Sequence, residues 1–358
     1  MTPKEAINNL EKPKGRWGKI LTTTPIVMTV LATVFAGLSS SEMTQAMFHR
    51  SLASQQQSKA GDQWAFFQAK RIRGTTLEAQ VELLQTMAHA IPLQEKQLQA
   101  TIVQLLAGLT SSNLTTKQQS LVGLQELQAK SAALTASDVE THWKILSGAP
   151  LPKLEVARHE DAAIQKNLEA ALVAISQKQS EEKIYQVVKL LSLEQIVHAT
   201  QLAEQVSEQF SHQCDPTAEF GKQLKAWLIQ LERFVQSLRE QWAQVDTDRQ
   251  HPLRQLERQI AGAKVALNDF DVRRYRQESL YNRKIAELYE LRVWRSSMES
   301  DRHRNRSQLF FYSMLVAQIG VTISSLALAQ AKRSALWFIA AFAGLIALGF
   351  SAWVYLTA

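Results

Sequence analysis

A single cysteine, Cys214, stands in 358 residues, so an internal disulfide and any Cys-rich zinc or iron–sulfur site are excluded. Glycine and proline are sparse, 13 and 8 in the whole chain, while glutamine reaches 37, a balance that favours helix over strand. No run of alternating apolar and polar residues of useful length is present, which argues against a half-buried sheet. A P-loop and a G-x-G-x-x-G are both missing, and Gly221-Lys222 lacks the preceding glycine that a phosphate cradle needs. His49, His89, His142, His159, His198, His212, His251 and His303 include no pair at the i, i+4 spacing of a helical metal site. G-x-S-x-G is missing too, so a nucleophile elbow has no support. His159, Glu160 and Asp161 form a polar cluster that reads as the solvated start of a helix, where acids suit the dipole. No catalytic, cofactor-binding or metal residue is expected.

What the chain does have is three uncharged apolar runs, 20–39, 308–330 and 335–357. Each is near the roughly 20 residues that a bilayer demands. A charge at the centre of hydrocarbon costs about 2.5–3.5 kcal/mol, so three such runs are informative. Only Ala331, Lys332, Arg333 and Ser334 separate the last two, which makes them a tight helical hairpin. The first run follows a basic tail, 1–19, and with small residues at Ala36, Gly37 and Ser39 it also has the outline of a signal peptide. Helical sequence continues past it without a break, which favours an uncleaved anchor. Trp17, Trp337, Trp353 and Tyr355 sit where interfacial aromatics are expected. No span contains Asp, Glu, Lys, Arg or His, which argues against a proton relay. Gln318, Thr322, Ser324 and Ser325 form the polar face of the second span; Gly320 and Ser324 are four apart, as are Ala340 and Gly344 in the third. Gln318, Gly320, Ser324, Ala340 and Gly344 are therefore expected to pack these helices together.

The net charge of +7 and the pI of about 9.4 invite a nucleic-acid reading, so the location of the charge matters. The tail holds Lys4, Lys12, Lys14, Arg16 and Lys19 against Glu5 and Glu11, and residues 270–307 hold ten basic residues against six acids. With Lys332 and Arg333, these segments exceed the whole net charge, leaving the other residues slightly acidic. The basic character thus lies beside the lipid runs. Arg302, Arg304, Arg306, Lys332 and Arg333 are expected to meet headgroups, at about 1 kcal/mol per basic side chain near an anionic surface. Nucleic acid is not an expected partner. Three spans put the tail and the hairpin turn on one side, with seven basic residues between them. The positive-inside rule holds for short segments, so that side is expected to be cytoplasmic and 40–307 extracytoplasmic.

The long loop divides at Gly148, Ala149, Pro150, Leu151 and Pro152 into a stalk with a first helical subdomain, 40–149, and a second helical subdomain, 150–307. Residues 75–110, 115–134, 153–178 and 181–212 read as helices. Leu224, Leu228, Leu231, Val235, Leu238, Trp242 and Val245 step by four and three, the spacing of a coiled-coil seam, and Leu253, Leu256, Ile260, Ala263, Leu267 and Phe270 repeat it. The stretch 246–252 between them reads as a turn, so an antiparallel hairpin is expected.

After the first span, Ala46, Ala53 and Ala60 recur every seven residues and Phe67 takes the next place. Small residues at this spacing let helix backbones approach closely. The basic clusters Lys70, Arg71, Arg73 and Arg273, Arg274, Arg276 are each about 30 residues from a span, roughly 45–50 Å along a continuous helix. An antiparallel stalk of 42–73 against 270–307, with position 60 opposite 284, is expected. Acids such as Asp269, Asp271 and Glu278, or an anionic partner, must then compensate the like charges. Trp64, Phe67, Lys70 and Arg73 are the expected interaction surface.

Ala60, Asp62, Gln63, Trp64, Phe67, Gln68, Ala69 and Lys70, together with the charged helix, span, Lys-Arg turn and last span at the end, resemble a bacterial membrane family. That family is known as domain of unknown function 4337. The resemblance covers roughly 1–80 and 270–358, with the middle looking like a long insertion. It implies an integral membrane protein with N-terminal and paired C-terminal spans, and no reaction. The expected fold is all-α, with three transmembrane helices and a large coiled-coil-like helical domain between the first and second. The expected role is a non-enzymatic scaffold in a bacterial inner membrane, as a homo-oligomer or with another protein, and with no cofactor. An oligomeric channel or tension-responsive pore and a membrane-anchored hydrolase are the alternatives.

Overall fold

A computed structural model describes residues 16–87, 89–90, 100, 140–152, 161–242, 250–329 and 335–357. Among these residues the helices are α1 Arg16–Met87, α2 Glu140–Leu146, α3 Ala162–Ser176, α4 Glu181–Val188, α5 Leu193–Trp242, α6 Gln250–Ala329 and α7 Ala335–Thr357, and no strand occurs among the described residues. The chain is all-α, and three helices, α1, α6 and α7, are long and apolar enough to cross a membrane. Most of the basic tail, the helix expected over 115–134, most of the turn 246–252, and the hairpin turn with Lys332 and Arg333 lie outside the described residues.

α1 runs unbroken for 72 residues with Pro25 inside it. Threonine hydroxyls keep this stretch hydrogen-bonded: Thr22 and Thr23 donate to the Lys19 carbonyl, Thr24 to that of Ile20 and Thr29 to that of Pro25. The helix expected over 75–110 is cut at Met87, because His89 takes a positive φ of 46° and turns the chain out of the helix. The helix expected over 181–212 is also two helices. A turn at 189–192, with Leu190 and Leu191 bonding back three residues, ends α4 and buries Leu191 before α5 begins. α5 then continues past Pro216 to join the stretch 193–212 to the heptads that start at Leu224.

The chain forms two compact units, each assembled from segments distant in sequence. The first comprises Met1–Ser58, Asn167–Leu193 and Glu290–Ala358. In it α6 runs antiparallel to α1, since Ser39 meets Ser307 and Ser300 bonds the Ala46 carbonyl. α7 runs parallel to α1, since Trp337 reaches Thr24 and Gly344 faces Met28. Ala32, Phe35, Ala317 and Ala347 form the buried cluster among the three spans. The contact is made largely of small residues, which is how helices associate where lipid removes the hydrophobic drive.

The second unit comprises Lys59–Lys166 and Glu194–Tyr289. Both heptad runs enter one buried core: Leu224, Leu228, Leu231, Val235 and Leu238 from α5 against Leu253, Leu256, Ile260, Ala263, Leu267 and Phe270 from α6. The Lys264–Glu232 and Arg239–Glu257 pairs show that the two helices are antiparallel. The break at 148–152 falls inside this unit rather than between units. There Gly148, at φ 112°, ends α2: its N–H bonds the Ile145 carbonyl and that of Ala149 bonds Lys144. This is a Schellman ending, in which glycine takes the left-handed position without a Cβ penalty. Lys59 over Tyr289 and Lys70 on Glu278 put position 60 beside residues near 288, about one turn away from the expected 284.

Candidate functional site: polar layers between α1 and α6

The heptad alanines Ala46, Ala53 and Ala60 are buried as expected, and buried Gly74 continues their spacing beyond Phe67. Small residues on α6, Ser296, Ser300 and Ser307, are buried too. With so little side-chain bulk in the seam, the neighbouring helix positions carry charge into the contact. They do so in two places, one in each unit.

In the first unit the layer starts where the apolar runs end. Ser39 donates to the Ser307 carbonyl at 2.9 Å and Ser307 to the Ser39 carbonyl at 2.8 Å, a reciprocal clasp across 268 residues of sequence. One turn further, His303 Nδ1 lies 2.6 Å from Glu42 Oε2, and the His49 ring stacks on His303 at 5.4 Å and 7°. His49 Nδ1 is buried without a hydrogen-bond partner. Burial, then the neighbouring His303 charge, lower the His49 pKa, and Glu299 opposes them. The chemistry is therefore a carboxylate–imidazole pair beside a second imidazole that favours the neutral form. Glu299 itself pairs with Arg295 at 2.6 Å.

In the second unit the basic cluster on α6 is compensated residue by residue. Arg273 pairs with Asp269 at 2.8 Å and donates to the Ile145 and Ala149 carbonyls, closing the end of α2. Arg274 lies between Asp271 at 3.4 Å and Glu278 at 3.6 Å, and Arg276 reaches Glu78 at 3.2 Å. Lys70 forms an ion pair with Glu278 and, like Arg274, stands over the Tyr275 ring. Burial penalises the Arg274 charge, but Asp271 and Glu278 outweigh it and hold its pKa above the ordinary arginine value. The acids named from the sequence, Asp269, Asp271 and Glu278, are among the compensating groups, and Glu78 of α1 joins them.

Of the four surface residues expected on α1, Arg73 is exposed. Trp64 and Phe67 are half-buried and pack edge to face at 5.5 Å, and Lys70 is held by Glu278. Phe67 occupies the seam position that the alanine spacing assigns to it. The residues that do face out are Phe66 and Ile72, at 55 % and 64 % exposure. Among the expected packing positions Gly320, Ser324, Ala340 and Gly344 are buried. Gln318 is exposed, because it is on the face of α6 turned away from Gly320 and Ala317. Arg302 and Arg304 are exposed and Arg306 is half-buried. No local spacing in the sequence marks Glu42, His49 and His303 as a group: Glu42 and His303 are 261 residues apart, and only the register of two antiparallel helices joins them.

Comparison with known proteins gives one finding. The model of the family described as Domain of unknown function (DUF4337) matches residues 17–215. The matched residues run well into the middle of the chain, and the C-terminal spans are beyond them. No curated protein and no solved structure matches the chain.

Proposed function

From the premise that this chain belongs to the family of Domain of unknown function (DUF4337), we propose that it is a membrane-anchored helical scaffold. The observation that carries this reading is the outward face of α1 beyond its span. Ile72 and Met87 are 64 % and 77 % exposed there. The positions that share their face, Ala65, Ala69 and Thr76, are exposed, small and uncharged. Asp62 is the one charge on this face. Water-exposed helix faces are usually charged, and exposed apolar residues in a row mark interaction surfaces. The occupant is a second copy of the chain or a helix of another protein. Exposed Arg302 and Arg304 suit anionic headgroups at the end of the second span. The basic tail and hairpin turn favour a cytoplasmic N-terminus and an extracytoplasmic 40–307.

A photo-crosslinking residue placed at Ala65, Ala69 or Ile72, in protein held in its native membrane, should yield a covalent dimer or a defined heteromer. Ile72→Glu should abolish that product. Absence of any product at all three positions overturns the reading, as does ion flux through the purified protein in vesicles.

A further inference from the structure

We propose that α1 and α6, where they meet just outside the spans in the first unit, form an acid-sensitive latch. His49 and His303 let the two helices close while His49 is neutral, and part them when both rings are charged.

The contact is one in which a single charge can decide. Between 42 and 53 on α1 and between 296 and 307 on α6 the buried residues are Ala46, Ala53, Ser296, Ser300 and Ser307. They bury little apolar surface, so the hydrophobic hold on this stretch is weak. Polar atoms closed into the same seam also lack hydrogen-bond partners: His49 Nδ1, Ser296 Oγ and Gln56 Oε1, the last two in residues 0 % and 4 % exposed. Each would gain from water the bond that closure withholds. Nearer the lipid, the Ser39–Ser307 clasp contains no titratable group and keeps its two hydrogen bonds at any pH, so the parting is bounded on that side.

The charges around the ring pair balance only with His49 neutral. Glu42 answers His303 and Glu299 answers Arg295, each at 2.6 Å. A proton on His49 adds a charge for which no acid is left, 5.4 Å from the His303 ring and parallel to it within 7°. Two imidazolium rings at that separation repel, and salt screens a partly buried pair little. His303 and Glu299, both on α6, are the charges that act on His49, while Arg50 beside it on α1 and Asp301 and Arg302 on α6 are exposed. In the closed seam burial, then His303, hold the His49 pKa below its ordinary 6.5, against Glu299. Once the helices part, the ring regains the ordinary value. The open form therefore binds the proton more tightly, and falling pH draws α1 from α6. On the orientation proposed above, the latch reads acidity outside the cytoplasm.

The test uses the full chain in lipid nanodiscs, in a Cys214→Ala background, with spin labels at the exposed positions Gln45→Cys and Asn305→Cys. The distance between the labels is read at pH 8 and at pH 5. One short distance is expected at pH 8, and a longer component should grow about fivefold by pH 5, with its midpoint below the ordinary imidazole value. His49→Gln should hold the short distance at both pH values, and so should His303→Gln, which can still donate to Glu42. His49→Arg, charged throughout, should show the longer component already at pH 8. A distance that does not move with pH, a shift of equal size in His49→Gln, or a His49→Arg variant that stays closed overturns the proposal. Equal lengthening of a second pair in the spans, Thr33→Cys with Leu315→Cys, overturns it too, since acid would then loosen the whole bundle rather than the latch.

Discussion

Cys214, only 2 % exposed, packs among Val206, Phe210 and Tyr281, and burial above all pushes its thiol up to about 11. The thiolate is the reactive form, so the folded protein at pH 8 should alkylate with iodoacetamide at least tenfold more slowly than the denatured chain. A thiol count against time in both states checks this. His49 behaves in the opposite sense. Its folded pKa is below the ordinary 6.5, because burial and the His303 charge disfavour the imidazolium. Its contribution to stability is therefore complete above about pH 6.5 and is lost as the pH falls through the lower folded value. Thermal melts between pH 7.5 and 5 should drop, and His49→Gln should flatten that drop. In the spans, Met28 fills a notch between two glycines. A Cβ at Gly344 would lie 2.5 Å from Met28 Cε, and one at Gly320 would lie 2.8 Å from the same atom. Gly344→Val should cost about 1–3 kcal/mol, and Met28→Ala should recover most of it. Neither the notch nor the imidazole stack was legible, since both depend on which atoms meet across hundreds of residues. The small residues that permit the notch were legible, at Gly320 and Gly344.

At the scale of elements, periodicity was readable and register was not. The seams at 224–238 and 253–270 and the alanines at 46, 53 and 60 follow from local spacing, and all are buried. Where one helix stands against another is fixed by contacts such as Ser39 with Ser307, and the edge of an apolar run locates these only to within a turn. Cysteines at 39 and 307, in a Cys214→Ala background, should therefore form a disulfide, whereas 39 with 304 should not, because Arg304 is exposed. Gel mobility with and without reductant decides it. Helix ends were the other gap. The stop at Met87 rests on the left-handed His89, and histidine carries no strong signal for that conformation.

For the whole molecule, the spans were the most readable feature, because the penalty for charge in hydrocarbon leaves long uncharged runs in the sequence. The two compact units were not readable. Asn167–Leu193 shares a unit with both membrane ends, and no change of composition announces it. Three crossings require that residue 62 and residue 332 label from opposite sides. A membrane-impermeant maleimide on intact cells should reach Asp62→Cys and not Lys332→Cys, again in the Cys214→Ala background. The reverse pattern would invert the orientation and leave the three crossings standing.

α1 passes from its apolar run to Ser39, Glu42 and Ala46 without a loop, and this sets a rotational phase between what lipid holds and what Glu42 meets. One residue inserted after Ser40 would turn everything downstream by about 100° and swing Glu42 away from His303. Seven inserted residues would restore the direction to within about 20°. The helix thus behaves as a shaft whose angular setting, more than its length, is what the chain has to preserve.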